Sequence, residues 1–230
     1  AMAAALFLGR RYLILILPML LLVTYLQRWP NNDWQIANCD VGQGDALVLK
    51  VAPKSAVVID TGPEPKLIDD CLKSLSITKI PLLIITHPHA DHIGGLSGAL
   101  HNRKVERVLQ SARRGEVLQV GNMRIEILWP DGAAHIFTDT GGEGSAINNQ
   151  SIVALISTPI YKLLATGDAE PDVQSLLTPP KVDYLKVAHH GSKYQDRRFN
   201  ALADPTVAII SVGVGNKYGH PADSTLRLFK

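Results

Sequence analysis

The stretch PLLIITHPHADH (81–92) sets the tightest constraint on this chain. A short, wholly apolar run of this kind is a buried strand. It gives way at once to His87, His89, Asp91 and His92, gathered at the strand end. Neutral imidazole is a ligand for zinc, manganese and iron, and a carboxylate adds charge. His87 and His89, two residues apart, point the same way from an extended strand end. Asp91 and His92 follow where the chain turns into a helix and could face a second ion a few ångströms off, so one loop can feed two metals. Gly94 and Gly95 let the backbone pack closely behind it.

The remaining candidates also fall at strand ends. Asp60 closes VVID, Asp168 follows LLATG, and His189 and His190 follow LKVA. Asp168 could supply a carboxylate that bridges two ions. Each of these residue types is also a common turn former; their agreement with the 87–92 loop is what gathers them into one set.

The surrounding pattern is layered α/β. WQIANC (34–39), ALVLKV (46–51) and AVVID (56–60) read as an antiparallel meander, and 67–75 as a helix. VERVLQ, MRIEILW, SIVALIS and YKLLAT are further strands. VDYLKVA and TVAIISV read as parallel or core strands flanking a helical stretch near 194–203. The stretch 131–149 reads as a loop, and the chain stops within a helix, STLRLFK.

Composition adds bounds. The 230 residues suffice for one domain of ordinary to large size, with 46% hydrophobic and 19% charged residues. A net charge of +2 leaves any polyanion site to local clusters, such as 113–115 and 193–198, which otherwise read as solvated faces. Cys39 and Cys71 fit no zinc-ribbon spacing and read as buried free thiols, with one disulfide as the alternative.

The N-terminus differs from the rest. The run 12–26 is nearly all apolar; as a helix it reaches about 22 Å, against ~30 Å of bilayer core. It reads as a membrane helix within 1–29, with a signal peptide or a buried helix as alternatives. Arg10 and Arg11 then favour a cytoplasmic loop and put the rest of the chain on the outer side. Pro30 to Asp33 is a polar break that opens a domain over 30–230.

An apolar strand, then His-x-His-x-Asp-His, then Asp and His at later strand ends, resembles the metallo-β-lactamase superfamily over about 40–220. DVGQGDALVL (40–49), IDTG (59–62), THPHADHIGG (86–95), TGDAE (166–170), LKVAHHGS (185–192) and SVGVGNKYGHP (211–221) resemble more closely the external metallohydrolase domain of the ComEC competence DNA-uptake channels. The resemblance implies a four-layer αβ/βα sandwich preceded by a transmembrane helix. It also implies a place in the bacterial inner membrane with the hydrolase on the periplasmic or extracellular side, and DNA, the membrane and competence-system proteins as partners. It implies two divalent ions, Mn2+ or Zn2+. His87 and His89 take the first; Asp91, His92 and His190, or else His189, take the second; Asp168 bridges; Asp60 orients the ligand loop.

The usual third histidine of the first metal is absent. NNQS (148–151) stands there, and Asn148 or Asn149 could offer an amide oxygen, a harder ligand that favours manganese. Relatives continue past YGHP with a further helix and strand, so this domain reads as truncated at its C-terminus.

The implied chemistry is hydrolysis. Asp91 holds the attacking hydroxide and takes its proton, His220 is the leaving-group acid or a phosphate contact, and Ser192 and Lys193 are phosphate donors. Asp40, Gln43 and Asp45 either line the site or only build a turn. Three functions compete: a nuclease or phosphodiesterase that degrades the non-imported DNA strand, a hydrolase of a small thioester, lactone or lactam, and a non-catalytic module that guides DNA.

Overall fold

Two sheets face each other across an apolar layer, and the alternation of residues along each strand says why. In β10 (Val153–Ser157) and the residue before it, Ile152, Ala154 and Ile156 point into the layer between the sheets, while Val153 and Leu155 point outward. β11 (Lys162–Ala165) does the same, with Leu163 and Ala165 inward and Leu164 outward. A strand apolar on both faces must be covered on both, which a sandwich with outer helices achieves.

The computed structural model describes residues 16, 18–20, 23, 33–133 and 146–230. Gln35–Lys230 form one unit, and the sandwich lies within it. Its first sheet begins with β1 (Ile36–Asn38), β2 (Leu47–Ala52) and β3 (Ser55–Ile59), paired antiparallel as the meander pattern predicts. Four two-residue strands extend it in parallel: β4 (Lys79–Ile80), β5 (Leu83–Ile84), β6 (Lys104–Val105) and β7 (Val108–Leu109). The second sheet runs β13-β12-β11-β10-β9-β8. Here β8 (Val117–Val120) and β9 (Met123–Trp129) are antiparallel, whereas β12 (Tyr184–Lys186) and β13 (Val207–Ile209) join in parallel. β8 has no distinct sequence signature: its exposed and half-buried positions alternate without a strong apolar face.

Helices cover the outer faces. α1 (Pro65–Ser74) starts with proline at its first position, where no N–H is needed. It buries Ile68 and Leu72, one turn apart, and packs on α3 (Leu96–Leu100). On the far side, α4 (Pro171–Gln174) and α5 (Arg197–Ala203) lay Val173, Phe199 and Ala203 on Val153, Leu164 and Leu185. The Asp196 side chain caps α5 by accepting from the Phe199 amide. Two further helices are α2 (Ala90–Ile93), which carries Asp91 and His92, and α6 (Asp223–Leu226). A register shift between β9 and β10 at Val153/Ala154 turns Trp129 to the outer face although Met123, Ile125 and Ile127 point inward.

Two expectations are overturned. Cys39 and Cys71 are not free thiols: they form a disulfide, with Cα atoms 5.9 Å apart. It ties the end of β1 to α1 across 32 residues, a closure on the order of 3–4 kcal/mol in chain-entropy terms. No pattern in the chain announces this pair, because the partners meet only through packing. Secondly, among the described residues no helix is long and apolar enough to cross a membrane. The transmembrane helix, the membrane as partner and the inner-membrane, outward-facing placement therefore have no support, and we withdraw them. Most of 12–26 lies outside the described residues.

Candidate metal centre

The site is built where strands of both sheets end. β5 leads to His87, β3 to Asp60, β11 to Asp168 and β12 to His190, and at these ends the side chains change from apolar to ionisable. The backbone is unusual here. Asp60, His189 and His190 have φ of 60°, 49° and 52°, a left-handed conformation that costs a non-glycine residue energy and gathers at functional sites. Gly94 and Gly95 back the loop as the sequence predicts. A Cβ on Gly95 would sit 2.1 Å from the Thr61 carbonyl, and one on Gly94 2.4 Å from that of Pro63.

Asp168 is the centre of convergence. Its Oδ2 lies 3.2 Å from His92 Nε2, 3.5 Å from His190 Nε2, 3.9 Å from His87 Nε2 and 4.0 Å from His189 Nε2. His87 Nε2 is also 3.1 Å from His89 Nδ1, and Asp91 Oδ2 is 3.1 Å from His190 Nε2. Asp168 Oδ1 and His92 Nε2 are buried and make no hydrogen bond. Buried polar atoms are nearly always satisfied, and a cation held by these donors would supply the missing partner.

Two groups of side chains have ligand atoms within 4.8 Å of one another: Asp91, His92, Asp168 and His190, and Asp45, Asp60 and His92. They differ in how their oxygens are used. Asp60 accepts from the Thr86 amide (2.7 Å), the Thr86 hydroxyl (2.8 Å) and His92 Nδ1–H (2.8 Å). It braces the strand end and, by holding Nδ1, leaves His92 Nε2 turned to Asp168; an orienting role for Asp60 is what the resemblance implies. Asp45 faces Lys186.

Charge follows the same geometry. Burial alone would raise the Asp168 carboxyl, but the His92 and His190 imidazoles overcome it and hold Asp168 well below the usual carboxylate range. Burial works against charge on His190 too, yet Asp168 and Asp45 lift it to about 10; Asp168 and Asp60 likewise raise His92. The carboxylates thus draw positive charge, proton or cation, to one place. Burial, reinforced by His92, pushes His87 down to about 3 and keeps it a neutral donor.

His87, His89, Asp91, His92, Asp168, His189 and His190 all meet here. His189 Nδ1 is bonded to Glu170 (3.0 Å), whereas His190 turns Nε2 onto both Asp91 and Asp168. His220 also reaches the site: its ring stacks on His190 at 6.3 Å and meets His189 edge-on at 5.4 Å, and Tyr218 stacks on it at 5.9 Å.

Other candidates are engaged elsewhere. Asn149 Oδ1 accepts from the Glu170 amide (3.0 Å). Ser192 is fully buried, its hydroxyl accepting from the Tyr194 amide and its carbonyl from Thr225, so it presents nothing to a substrate in this structure. Lys193 is exposed and lies over the Tyr194 ring. Asp40 only braces its own turn through the Gly42 amide, and Gln43 accepts from the Gly213 amide. His101 is a surface residue against Asp69. Ser151 was not singled out from sequence. Its hydroxyl accepts from the Asp168 amide (3.0 Å) and lies 3.3 Å from His87 Nδ1, and no spacing signal could have marked it.

The chain is similar to several known proteins. The chain is 30% identical over 87% of its length to "ComE operon protein 3" of Bacillus subtilis, of which it covers 31%. It is 28% identical over 84% of its length to "Recombination protein 2" of Haemophilus influenzae, covering 26%. The chain thus spans less than a third of the length of these relatives. The metallo-beta-lactamase fold protein YhfI from Bacillus subtilis superposes with a TM-score of 0.54 at 13% identity, covering 86% of this chain and 95% of that one, a likeness of fold alone. Residues 39–214 match the family model of the metallo-beta-lactamase superfamily. With the sandwich and the ligand clusters at its strand ends, this match shows that the chain belongs to the metallo-β-lactamase superfamily and is a metal-dependent hydrolase.

Proposed function

We propose that this chain is a phosphodiesterase that cleaves DNA during competence DNA uptake, degrading the strand that is not imported, with residues 30–230 as its hydrolase domain. The observation that carries the hydrolytic part is the Asp168 oxygen ringed by four imidazole nitrogens. The choice of DNA rests on the resemblance of the 40–49, 185–192 and 211–221 segments to competence proteins and on the relatives' names, "ComE operon protein 3" and "Recombination protein 2".

In this reading His87 and His89 would hold one cation and Asp91, His92 and His190 a second, with the Asp168 carboxylate shared between the two sets. Manganese or zinc ions bound there supply an acidified water and a Lewis acid for the bond to be broken. Asp91, one-third exposed on its side chain and hydrogen-bonded to His190, takes the proton of the attacking water. His220, stacked on His190 and edge-on to His189, delivers a proton to the leaving oxygen. Lys193, exposed three residues after His190, offers charge to a phosphate if it leaves the Tyr194 ring.

The test uses the purified chain with Mn2+ or Zn2+, offered linear DNA, bis-p-nitrophenyl phosphate and nitrocefin. DNA cleavage that Asp168→Ala abolishes is expected. Nitrocefin turnover with DNA left intact would turn the reading to a small-molecule hydrolase, and DNA binding without turnover to a guiding module. His220→Gln separates its role from binding. It should slow DNA cleavage about 100-fold or more, yet barely affect the p-nitrophenyl ester, whose leaving group needs no proton.

A further inference from the structure

Beneath the ligand His190 lies a buried ion pair that the hydrolytic chemistry does not use. Lys186 Nζ is 2.6 Å from Asp45 Oδ2, and the two side chains are 4% and 3% exposed. Lys186 Nζ also donates to the Val187 carbonyl at 3.0 Å. A buried ion pair is often no more stabilising than an apolar pair of the same volume, so stability alone does not account for this one and it is free to serve something else. Their other contacts show what that is. Asp45 Oδ1 stands 3.2 Å from His190 Nδ1, whose hydrogen bond goes to the Ser211 carbonyl at 3.0 Å; the carboxylate acts on that nitrogen through its charge, not through a second hydrogen bond.

The main chain of Asp45 binds the other ligand segment. Its N–H donates to the Asp91 carbonyl at 3.1 Å, and its own carbonyl accepts from Gly62 beside Asp60. Ser211, which receives His190, donates its hydroxyl to Gly44 at 2.6 Å. A Cβ on Gly44 would lie 2.3 Å from the Asp91 carbonyl, so the turn must close directly on the ligand loop.

We propose that Asp45 and Lys186 are positioning residues. Lys186, at the end of β12, pins the Asp45 carboxylate against the Nδ1 edge of His190, so that Nε2 faces Asp91 and Asp168 and the 86–92 and 189–191 ligand segments keep one spacing. This rests on the reading of His190 as a cation ligand. It accounts for the acid in DVGQGD and the lysine in LKVAHHG, one on the first sheet's approach to the site and one on the second's. Support at the far nitrogen of a histidine ligand makes it bind metal more tightly, and its loss costs about 10- to 100-fold in affinity; here the Ser211 carbonyl takes the hydrogen bond and the Asp45 charge reinforces it.

The experiment titrates the purified full chain with Zn2+ by calorimetry and follows the histidine ring signals by NMR in chelator. Asp45→Asn and Lys186→Met each leave one buried partner unmatched and can unfold the protein, so the deciding variant is Asp45→Leu/Lys186→Met, which replaces the pair with apolar side chains. We expect it to fold with a melting temperature close to the parent's, to bind its weaker zinc about 10- to 100-fold less tightly, and to shift the His190 ring signals. Parent affinity for zinc, or His190 signals unchanged in a folded double variant, overturns the proposal. If the parent chain itself takes up no zinc, the reading of His190 as a ligand fails. The ring signals then still decide whether the pair positions that histidine.

Discussion

The middle of each strand and its end behave as two different materials. Between the sheets, Leu47, Leu49, Val57, Ile59, Ile125, Ile127 and Ile156 form an apolar layer that is closed to water. At and just beyond the strand ends, the same chain buries Asp45, Asp60, His87, His92, Asp168, Lys186 and His190. The first region lowers free energy by removing apolar area from water. The second spends part of that gain, because buried ionisable groups are costly unless paired. The sandwich interior is therefore what allows the strand ends to hold strained backbone and confined charge, and the two regions should respond differently to the same kind of substitution.

Asp168→Ala should separate them most sharply. Activity should fall by roughly 1,000-fold or more, and bound metal, read by elemental analysis, should drop below that of the parent, while the chelated protein still melts cooperatively. Activity retained at parent level would remove Asp168 from the centre. The converse is Ile156→Ala, a truncation deep in the apolar layer: it should cost about 2–5 kcal/mol in denaturant unfolding and leave the metal content of the folded fraction unchanged. Thr86→Val sits on the boundary. It keeps the shape but removes the hydroxyl that serves Asp60, so it should cost about 1–3 kcal/mol and lower metal affinity about 10-fold.

The smallest expected effect is on pH. In chelator, His190 titrates at about 10 in the folded chain against an ordinary 6.5. A raised folded-state value means that the folded chain holds its proton more tightly. That contribution is complete below pH 6.5 and is lost as pH rises towards 10. His87, depressed to about 3, acts in the opposite window: the unfolded chain binds the proton first, so stability falls as pH drops from 6.5 towards 3. Thermal melts of the chelated protein should thus weaken on the alkaline side through His190. Added Zn2+ should reverse that slope, since ligands must be neutral to bind and metal uptake releases their protons. An alkaline slope unchanged by zinc would mean that His190 is not a ligand.

Much of this was legible in the chain. Alternation and apolar runs disclosed the meander, most of the later strands and a helix read at 67–75 and found at Pro65–Ser74, while VERVLQ breaks into two short strands, since period 2 and period 3.6 are local properties. The 87–92 loop was legible for the same reason: two histidines at spacing two on a strand end, then an acid and a histidine entering a helix, need no distant partner to share a direction. The choice between His189 and His190 was half legible. The resemblance put His190 before His189, but only the left-handed backbone at both residues sends one ring to Glu170 and the other to Asp91.

By itself the sequence determined which residue types stand at which strand ends, and so that a cation-binding edge exists on a layered α/β fold. Only the tertiary structure decided who meets whom across long separations. It joined Cys39 to Cys71, set Lys186 on Asp45, sent Asn149 to Glu170, sealed Ser192 from solvent and turned Trp129 outward through a bulge. The physical reason is common to all five. A local pattern fixes the direction of a side chain relative to its own strand or helix, but the partner it finds there depends on how separate elements dock, and that is settled by the packing of the whole core.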